Sequence, residues 1–168
     1  DTVVYICDSL DLDIDEVYEA YNNIPSIKAK DDFLMDVTRE LKKDIDPETL
    51  EGRKEIIKGA FMYWIVCEGT FFFSGFAMLL ALSKKIPGIC EQIQYTLRDE
   101  SLHIQFGTSL LNKIKEQYAD AWDDTLEAEL TDNLKQAVKL EVQYAQDVLP
   151  RGILGLNADM FVDYMQYI

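Results

Sequence analysis

Histidine, cysteine and basic residues are scarce in this sequence. Its 168 residues contain one histidine, three cysteines and 16 lysines and arginines, against 31 aspartates and glutamates. The formal net charge of -15 disfavours phosphate backbones and anionic membrane surfaces as partners, because both carry negative charge themselves. The cysteines are odd in number and form no C-x-x-C pair, which argues against a disulfide framework. We therefore expect no nucleic-acid partner and a cytoplasmic location.

The sequence starts at Asp1 without an initiator methionine or a basic stretch that leads into an apolar one, so we expect no targeting segment here. The last helical pattern stops at Ile168 in the middle of an element. We expect residues 1–168 to be part of a single domain that is truncated at both ends.

One apolar stretch, residues 60–82, is long enough to span a bilayer. It contains Glu68, and a carboxylate inside a span costs about 2.5 to 3.5 kcal/mol on insertion scales. A helix that is surrounded by other helices is also apolar on all sides. We expect a soluble core helix and no membrane partner, with a membrane-associated helix as the alternative.

Apolar residues recur at helical spacing throughout the sequence, without strand-like alternation or an internal repeat. The predicted fold class is all-α. Long helices joined by short loops become antiparallel neighbours, so we expect a helical bundle. Capping residues, prolines and glycines predict a short helix after 11–15 that ends at Pro25, and further helices at about 26–43, 47–85, 89–117, 124–149 and 158–168.

Glu68 lies in the most apolar of these helices, next to Trp64, Ile65, Val66, Phe71, Phe72 and Phe73. We therefore predict that its carboxylate is buried. An unpaired buried ion is very costly, so this group must be protonated, hydrogen-bonded, paired with a cation or bound to a metal.

Glu100 and His103, the only histidine, are three residues apart in the following long helix. This spacing places both side chains on one helical face, about one turn apart. Dinuclear carboxylate centres in four-helix bundles use one Glu from each of two helices and a Glu-x-x-His from each of two others. Glu68, Glu100 and His103 would supply half of such a set, although a simple acid–histidine hydrogen bond in the core is the alternative. The other helical glutamates considered are interpreted as parts of solvated faces: Glu91, Glu127, Glu129 and Glu141.

Three segments together resemble the second half of class I ribonucleotide reductase small subunits: CEGTFFFSGFAMLLAL, QIQYTLRDESLHIQFG and LPRGILGLNADMFVDYMQYI. The resemblance extends to VVYICDSL and IPSIKAKDDF near the start. It implies a ferritin-like helical bundle of which this chain is the carboxyl-side half. It also implies that Glu68, Glu100 and His103 are metal ligands, with the first-half ligands upstream of Asp1.

The resemblance assigns further roles around this site. Asp99 matches the residue that links the metal site to the radical-transfer route, and Phe72 and Phe76 match the apolar pocket that shields the oxidant. Trp64 and Tyr95 are candidate redox relays, although packing in the aromatic core is the preferred interpretation for both.

The position of the family's radical-bearing tyrosine is occupied by Val3 in the preferred register, or by Tyr5 in the alternative one. Valine cannot hold a phenoxyl radical. With Val3 in this place, the chain is similar to the subgroup without a radical tyrosine, in which a manganese–iron pair stores the oxidising equivalent.

The resemblance therefore implies a radical-generating small subunit of ribonucleoside-diphosphate reductase. Its dinuclear centre, Mn/Fe or Fe/Fe, would be oxidised and would pass a radical equivalent to the large subunit for deoxyribonucleotide synthesis. A homodimer is expected. Two alternatives stay open: a ferritin-like di-metal oxidase or oxygenase that acts on a small or lipid-like molecule, and a non-catalytic acidic helical interaction module.

Overall fold

The computed structural model describes residues 2–41, 44–152 and 156–167, apart from the side chains of residues 2, 3, 37, 38, 40, 41, 158 and 166. Within these ranges the chain forms helices and no β-strand. The helices are α1 (Thr2–Ser9), α2 (Ile14–Asn23), α3 (Pro25–Leu41), α4 (Leu50–Phe61), a π-helical segment (Met62–Phe71), α5 (Phe72–Leu80), α6 (Pro87–Gln117), α7 (Asp124–Val148) and α8 (Ala158–Tyr167).

Side-chain caps fix several helix starts close to the places that the sequence predicts. Asp13 accepts hydrogen bonds from two backbone N–H groups at the start of α2. Asp123 accepts from the Leu126 N–H at 2.8 Å at the start of α7. Asn157 accepts from the Met160 N–H at 2.9 Å in the first turn of α8. These short polar side chains satisfy N–H groups that have no partner within the helix.

The start of α4 differs from the prediction, which placed it at Asp46 and Pro47. Asp46 instead accepts from the Glu48 N–H at 3.0 Å and closes a separate turn. Thr49 is the N-cap, and its hydroxyl accepts from the Gly52 N–H at 3.0 Å. The Asp46 side chain is thus used by the turn before the helix, so α4 begins at Leu50.

The predicted long helix to Lys85 is not a continuous α-helix. Its middle, Met62–Phe71, is π-helical, and its last part, α5, ends at Leu80. The Phe72 N–H donates to the Cys67 carbonyl, and the Thr70 hydroxyl donates to the Ile65 carbonyl at 3.0 Å. The backbone bond spans five residues, which is the spacing of a π-helix, and the Thr70 side chain bridges the same spacing. Residues five apart therefore share a face in this segment.

Three clusters of buried apolar residues hold the bundle together. One joins the π-helical segment to α7 through Met62, Val66, Phe71, Ala137 and Leu140. A second connects α5, α7 and α8, and a third connects α4 with the start of α7. Each cluster removes apolar surface from water on α4, the π-helical segment or α5, which places this central run of helices in the core.

The run Leu50–Leu80 is long and apolar enough to cross a membrane when only length and composition are considered. It packs against α3, α6 and α7, and its residues Ile57 and Val66 are fully buried. Contact with neighbouring helices therefore gives a second physical reason for its apolar character.

The buried face of α7 contains one charged residue among its apolar ones. Leu126, Leu130 and Ala137 are buried, and Leu134 is half-buried. The interpretation of Glu141 as a solvated residue is wrong, because its side chain is completely buried. Its carboxylate pairs with the Lys30 ammonium and accepts a hydrogen bond from the Ser74 hydroxyl. Glu91, Glu127 and Glu129 are exposed, as expected.

Candidate metal centre

The π-helical segment and α6 bring together the three predicted ligands. Glu68 lies in the π-helical segment, and Glu100 and His103 lie one turn apart on α6. Their carboxylate oxygens and an imidazole nitrogen lie within 4.8 Å of one another. Glu100 Oε2 is 3.1 Å from His103 Nδ1. Two carboxylates and one imidazole therefore converge on a single point between two packed helices.

Burial differs strongly across these three residues. Glu68 is buried as predicted, and the Glu100 side chain is 14% exposed, whereas the His103 side chain is 56% exposed. Burial raises the pKa of Glu68, and a hydrogen bond with Glu100 raises this pKa further. A hydrogen bond from Tyr63 and the nearby His103 act in the opposite direction on the same pKa. Burial therefore makes the charged form of Glu68 costly unless a positive charge lies nearby.

Tyr63 also belongs to this site, although no sequence signal selects it. Its hydroxyl is hydrogen-bonded to Glu68, and this bond raises the pKa of Tyr63. The two residues are five positions apart, a spacing that shares a face in a π-helix and not in an α-helix. Because an α-helix was predicted here, Tyr63 was missed.

The donor set fits a transition-metal ion. Carboxylate and imidazole ligands suit iron and manganese, and ferritin-like bundles build their centres from such inward-facing side chains. A bound cation would compensate the negative charge of the buried Glu68 carboxylate and of its neighbour Glu100.

The two predicted shielding residues lie in the helical turns that follow Glu68. Phe76 is buried, and Phe72 is 44% exposed. Their rings stack with centroids 6.1 Å apart. Phe72 also lines a cavity of about 490 Å³ together with Cys67 and Phe71. The pair therefore covers apolar space beside the ligand-bearing segment.

Asp99, the predicted radical-transfer residue, directly precedes Glu100 on α6 and is exposed. Trp64 is half-buried and contacts Phe106 edge-on, with ring centroids 5.4 Å apart. Tyr95 is 50% exposed, so the prediction that it packs in the core is wrong. Its ring lies on the outer side of α6, where the Arg98 guanidinium approaches its centroid at 5.8 Å.

The proposed radical-tyrosine position lies in α1. Val3 belongs to this helix, but its side chain is outside the part of the structure that is described. Tyr5, the alternative, is 72% exposed.

Comparison with known proteins identifies one family along almost the whole chain. Residues 2–168 match the family model described as ribonucleotide reductase, small chain. The chain is 47% identical to the ribonucleoside-diphosphate reductase subunit beta of Chlamydia pneumoniae, over 99% of this chain and 49% of the relative. It is 27% identical to the small chain 1 of Saccharomyces cerevisiae, over 90% of this chain and 34% of the relative. The chain thus spans half or less of the length of these curated relatives. The match confirms the predicted ferritin-like, all-α class.

Proposed function

Because this chain belongs to the ribonucleotide reductase small-chain family, we propose that Glu68, Glu100 and His103 bind one side of a dinuclear metal centre. The full-length gene product is then the radical-generating subunit of a ribonucleoside-diphosphate reductase. The convergence of three ligand atoms within 4.8 Å is the observation that carries this proposal. It occurs in a chain whose family has dinuclear metal centres, so a chance acid–histidine contact is the weaker explanation.

The chain's own residues prepare this site for a cation. When bound, the metal pair supplies the oxidising equivalent. Glu68 and Glu100 would hold the ion, and its positive charge would let Glu68 stay ionised in its buried position. The hydrogen bond between Glu100 and His103 Nδ1 holds the imidazole beside the carboxylates. Tyr63 donates to Glu68 and fixes the orientation of this carboxylate.

Phe72 and Phe76 are proposed to protect the centre from water and reductants. Their stacked rings form a rigid apolar cover beside Glu68. An apolar surround controls solvent access and the local dielectric of a metal site. Ordinary core packing of Phe76 is compatible with this role.

Asp99→Asn in the full-length protein is expected to lower ribonucleotide reduction about 10- to 100-fold, the range typical of partners that support a metal site. Metal content is expected to be unchanged, because Asp99 is exposed and lies outside the three-ligand cluster. Turnover with the large subunit and elemental analysis are measured on the same sample. Glu116→Gln, another exposed acidic residue on α6, is the control and should retain full turnover. Equal turnover of both variants would remove Asp99 from the proposed route.

The metal pair itself is proposed to store the oxidising equivalent, as a manganese–iron or di-iron centre, because the preferred register places Val3 in the radical-tyrosine position. Electron paramagnetic resonance of the oxidised full-length protein tests this point. A tyrosyl radical signal that Tyr5→Phe abolishes would instead establish the alternative register.

The proposed partners are the reductase large subunit and a second copy of the small subunit, in the cytoplasm, without nucleic acid or membrane. The direct test combines the full-length protein, loaded with manganese and iron, with the large subunit of the same organism. Formation of deoxyribonucleoside diphosphates supports the proposal. Metal-dependent oxygen consumption without this product would favour the oxidase alternative.

A further inference from the structure

Gly107 lies in close contact with the other ligand-bearing helix. This residue is buried on α6, four positions after His103. A Cβ atom at Gly107 would lie 2.5 Å from Trp64 Cγ and 2.6 Å from Trp64 Cβ and Cδ2. Trp64 belongs to the π-helical segment, four positions before Glu68. The contact is therefore about one helical turn from ligands on both sides.

Trp64 cannot easily move away from Gly107. Two of the three nearest atoms are Cβ and Cγ, whose positions are fixed by the backbone and one torsion angle. The indole ring is also held edge-on by Tyr63 and Phe106, with centroids 4.9 Å and 5.4 Å from its own. A side chain at position 107 would consequently move the helix backbone rather than the indole.

A second contact between the same helices is looser. A Cβ atom at Gly69 would be 3.4 Å from the Trp64 carbonyl oxygen and 4.0 Å from Ile104 Cδ1, which are ordinary van der Waals distances. Gly69 follows Glu68 and Ile104 follows His103, so this contact lies beside the ligands. A Cβ atom would therefore fit at Gly69, whereas it would clash at Gly107.

We propose that Gly107 is a positioning residue that sets the distance between Glu68 and the Glu100–His103 pair through its contact with Trp64. This inference rests on the proposed metal centre. An alanine at this position would require a shift of about 1 Å to reach normal contact, whereas metal–ligand distances tolerate about 0.2 Å. The three donor atoms would then no longer converge on one ion.

Gly107→Ala in the full-length protein tests the role. Co²⁺ is titrated into the metal-free protein, and its visible absorption spectrum reports both affinity and coordination geometry. Affinity is expected to fall at least about tenfold, with an altered spectrum. Gly88→Ala is the matched control, because Gly88 lies on α6 with no atom within 4 Å of its added Cβ. Leu111→Ala removes a buried side chain one turn further along α6 and should lower stability while leaving the spectrum unchanged.

The possible outcomes distinguish the positioning role of Gly107 from the metal centre on which it rests. Failure of the unaltered protein to bind Co²⁺ would refute the metal centre itself. Normal binding by the unaltered protein and an identical affinity and spectrum in Gly107→Ala would overturn the positioning role. If Gly107→Ala does not fold, Trp64→Ala tests the positioning role instead, because it removes the indole that contacts Gly107 without adding a clash. A changed Co²⁺ spectrum in Trp64→Ala supports the role, and an unchanged spectrum overturns it.

Discussion

Glu68→Gln in the full-length gene product is expected to lower the affinity for manganese and iron by at least about 100-fold. Loss of a group that merely supports a metal ligand costs 10- to 100-fold, and Glu68 is itself a proposed ligand. The amide keeps the shape of the side chain and removes the negative charge. Isothermal titration of the metal-free protein measures the effect.

The same substitution is expected to raise the unfolding temperature of the metal-free protein. Burial raises the pKa of Glu68, so its ionised form is unfavourable in the fold when no cation is bound. Glutamine removes this cost. Glu91→Gln, an exposed glutamate on α6, should change neither metal affinity nor stability. Unchanged metal binding in Glu68→Gln would exclude Glu68 as a ligand.

Lys30→Met is expected to destabilise the fold by about 3–5 kcal/mol, the typical cost of removing one partner from a buried ion pair. The Lys30 side chain is 18% exposed and that of Glu141 is completely buried. The Lys30 ammonium also lies 4.7 Å and 4.6 Å from the ring centroids of Phe71 and Tyr144. Methionine retains the apolar stem and leaves the Glu141 carboxylate without a cation. Urea denaturation measures the change in the free energy of unfolding.

The destabilisation is expected to depend on pH. Burial raises the pKa of Glu141 above its ordinary value of 4.5, while Lys30 and the Ser74 hydroxyl lower it. Removal of Lys30 therefore raises this pKa further. When the pKa of a carboxyl group is raised in the folded state, the protein loses stability as pH rises from the unfolded-state pKa through the folded-state pKa. The deficit of Lys30→Met should thus be larger at pH 7 than at pH 4.

Two companion variants make this result specific to the buried pair. Lys30→Met combined with Glu141→Leu should recover most of the lost stability, since no buried charge then lacks a partner. Lys28→Met removes an exposed pair with Asp32 and should cost less than about 1 kcal/mol. If Lys30→Met and Lys28→Met lower the free energy of unfolding equally at both pH values, the buried Lys30–Glu141 pair does not stabilise the fold as described here.

Local sequence signals accounted for most of the helices and for three site residues. Capping by Asp13, Asp123 and Asn157 depends on neighbours within three positions, so the sequence predicts it well. The pairing of Glu100 with His103 likewise follows from spacing on one α-helix. The burial of Glu68 follows from its apolar neighbours.

Features that depend on distant parts of the chain, or on a backbone that is not α-helical, could not be predicted from local sequence signals. Glu141 is buried because Lys30 on α3 and Ser74 on α5 satisfy it, and nothing near Glu141 in the sequence indicates those partners. Tyr63 reaches Glu68 only because the intervening backbone is π-helical. Gly107 gains its importance from Trp64, a residue of another helix. Tertiary packing decided the cases of Glu141 and Gly107, and the local π-helical backbone decided that of Tyr63.

The measurement that tests the central claim most directly is the metal content of the full-length gene product after loading with manganese and iron. Elemental analysis of the desalted protein gives the number of ions per chain, and electron paramagnetic resonance shows whether they are magnetically coupled. We predict two coupled ions per chain, and their loss in His103→Ala, whose exposed imidazole contributes little to the fold itself. A correctly folded protein that retains no metal, or retains both ions in His103→Ala, would contradict the metal centre proposed for Glu68, Glu100 and His103.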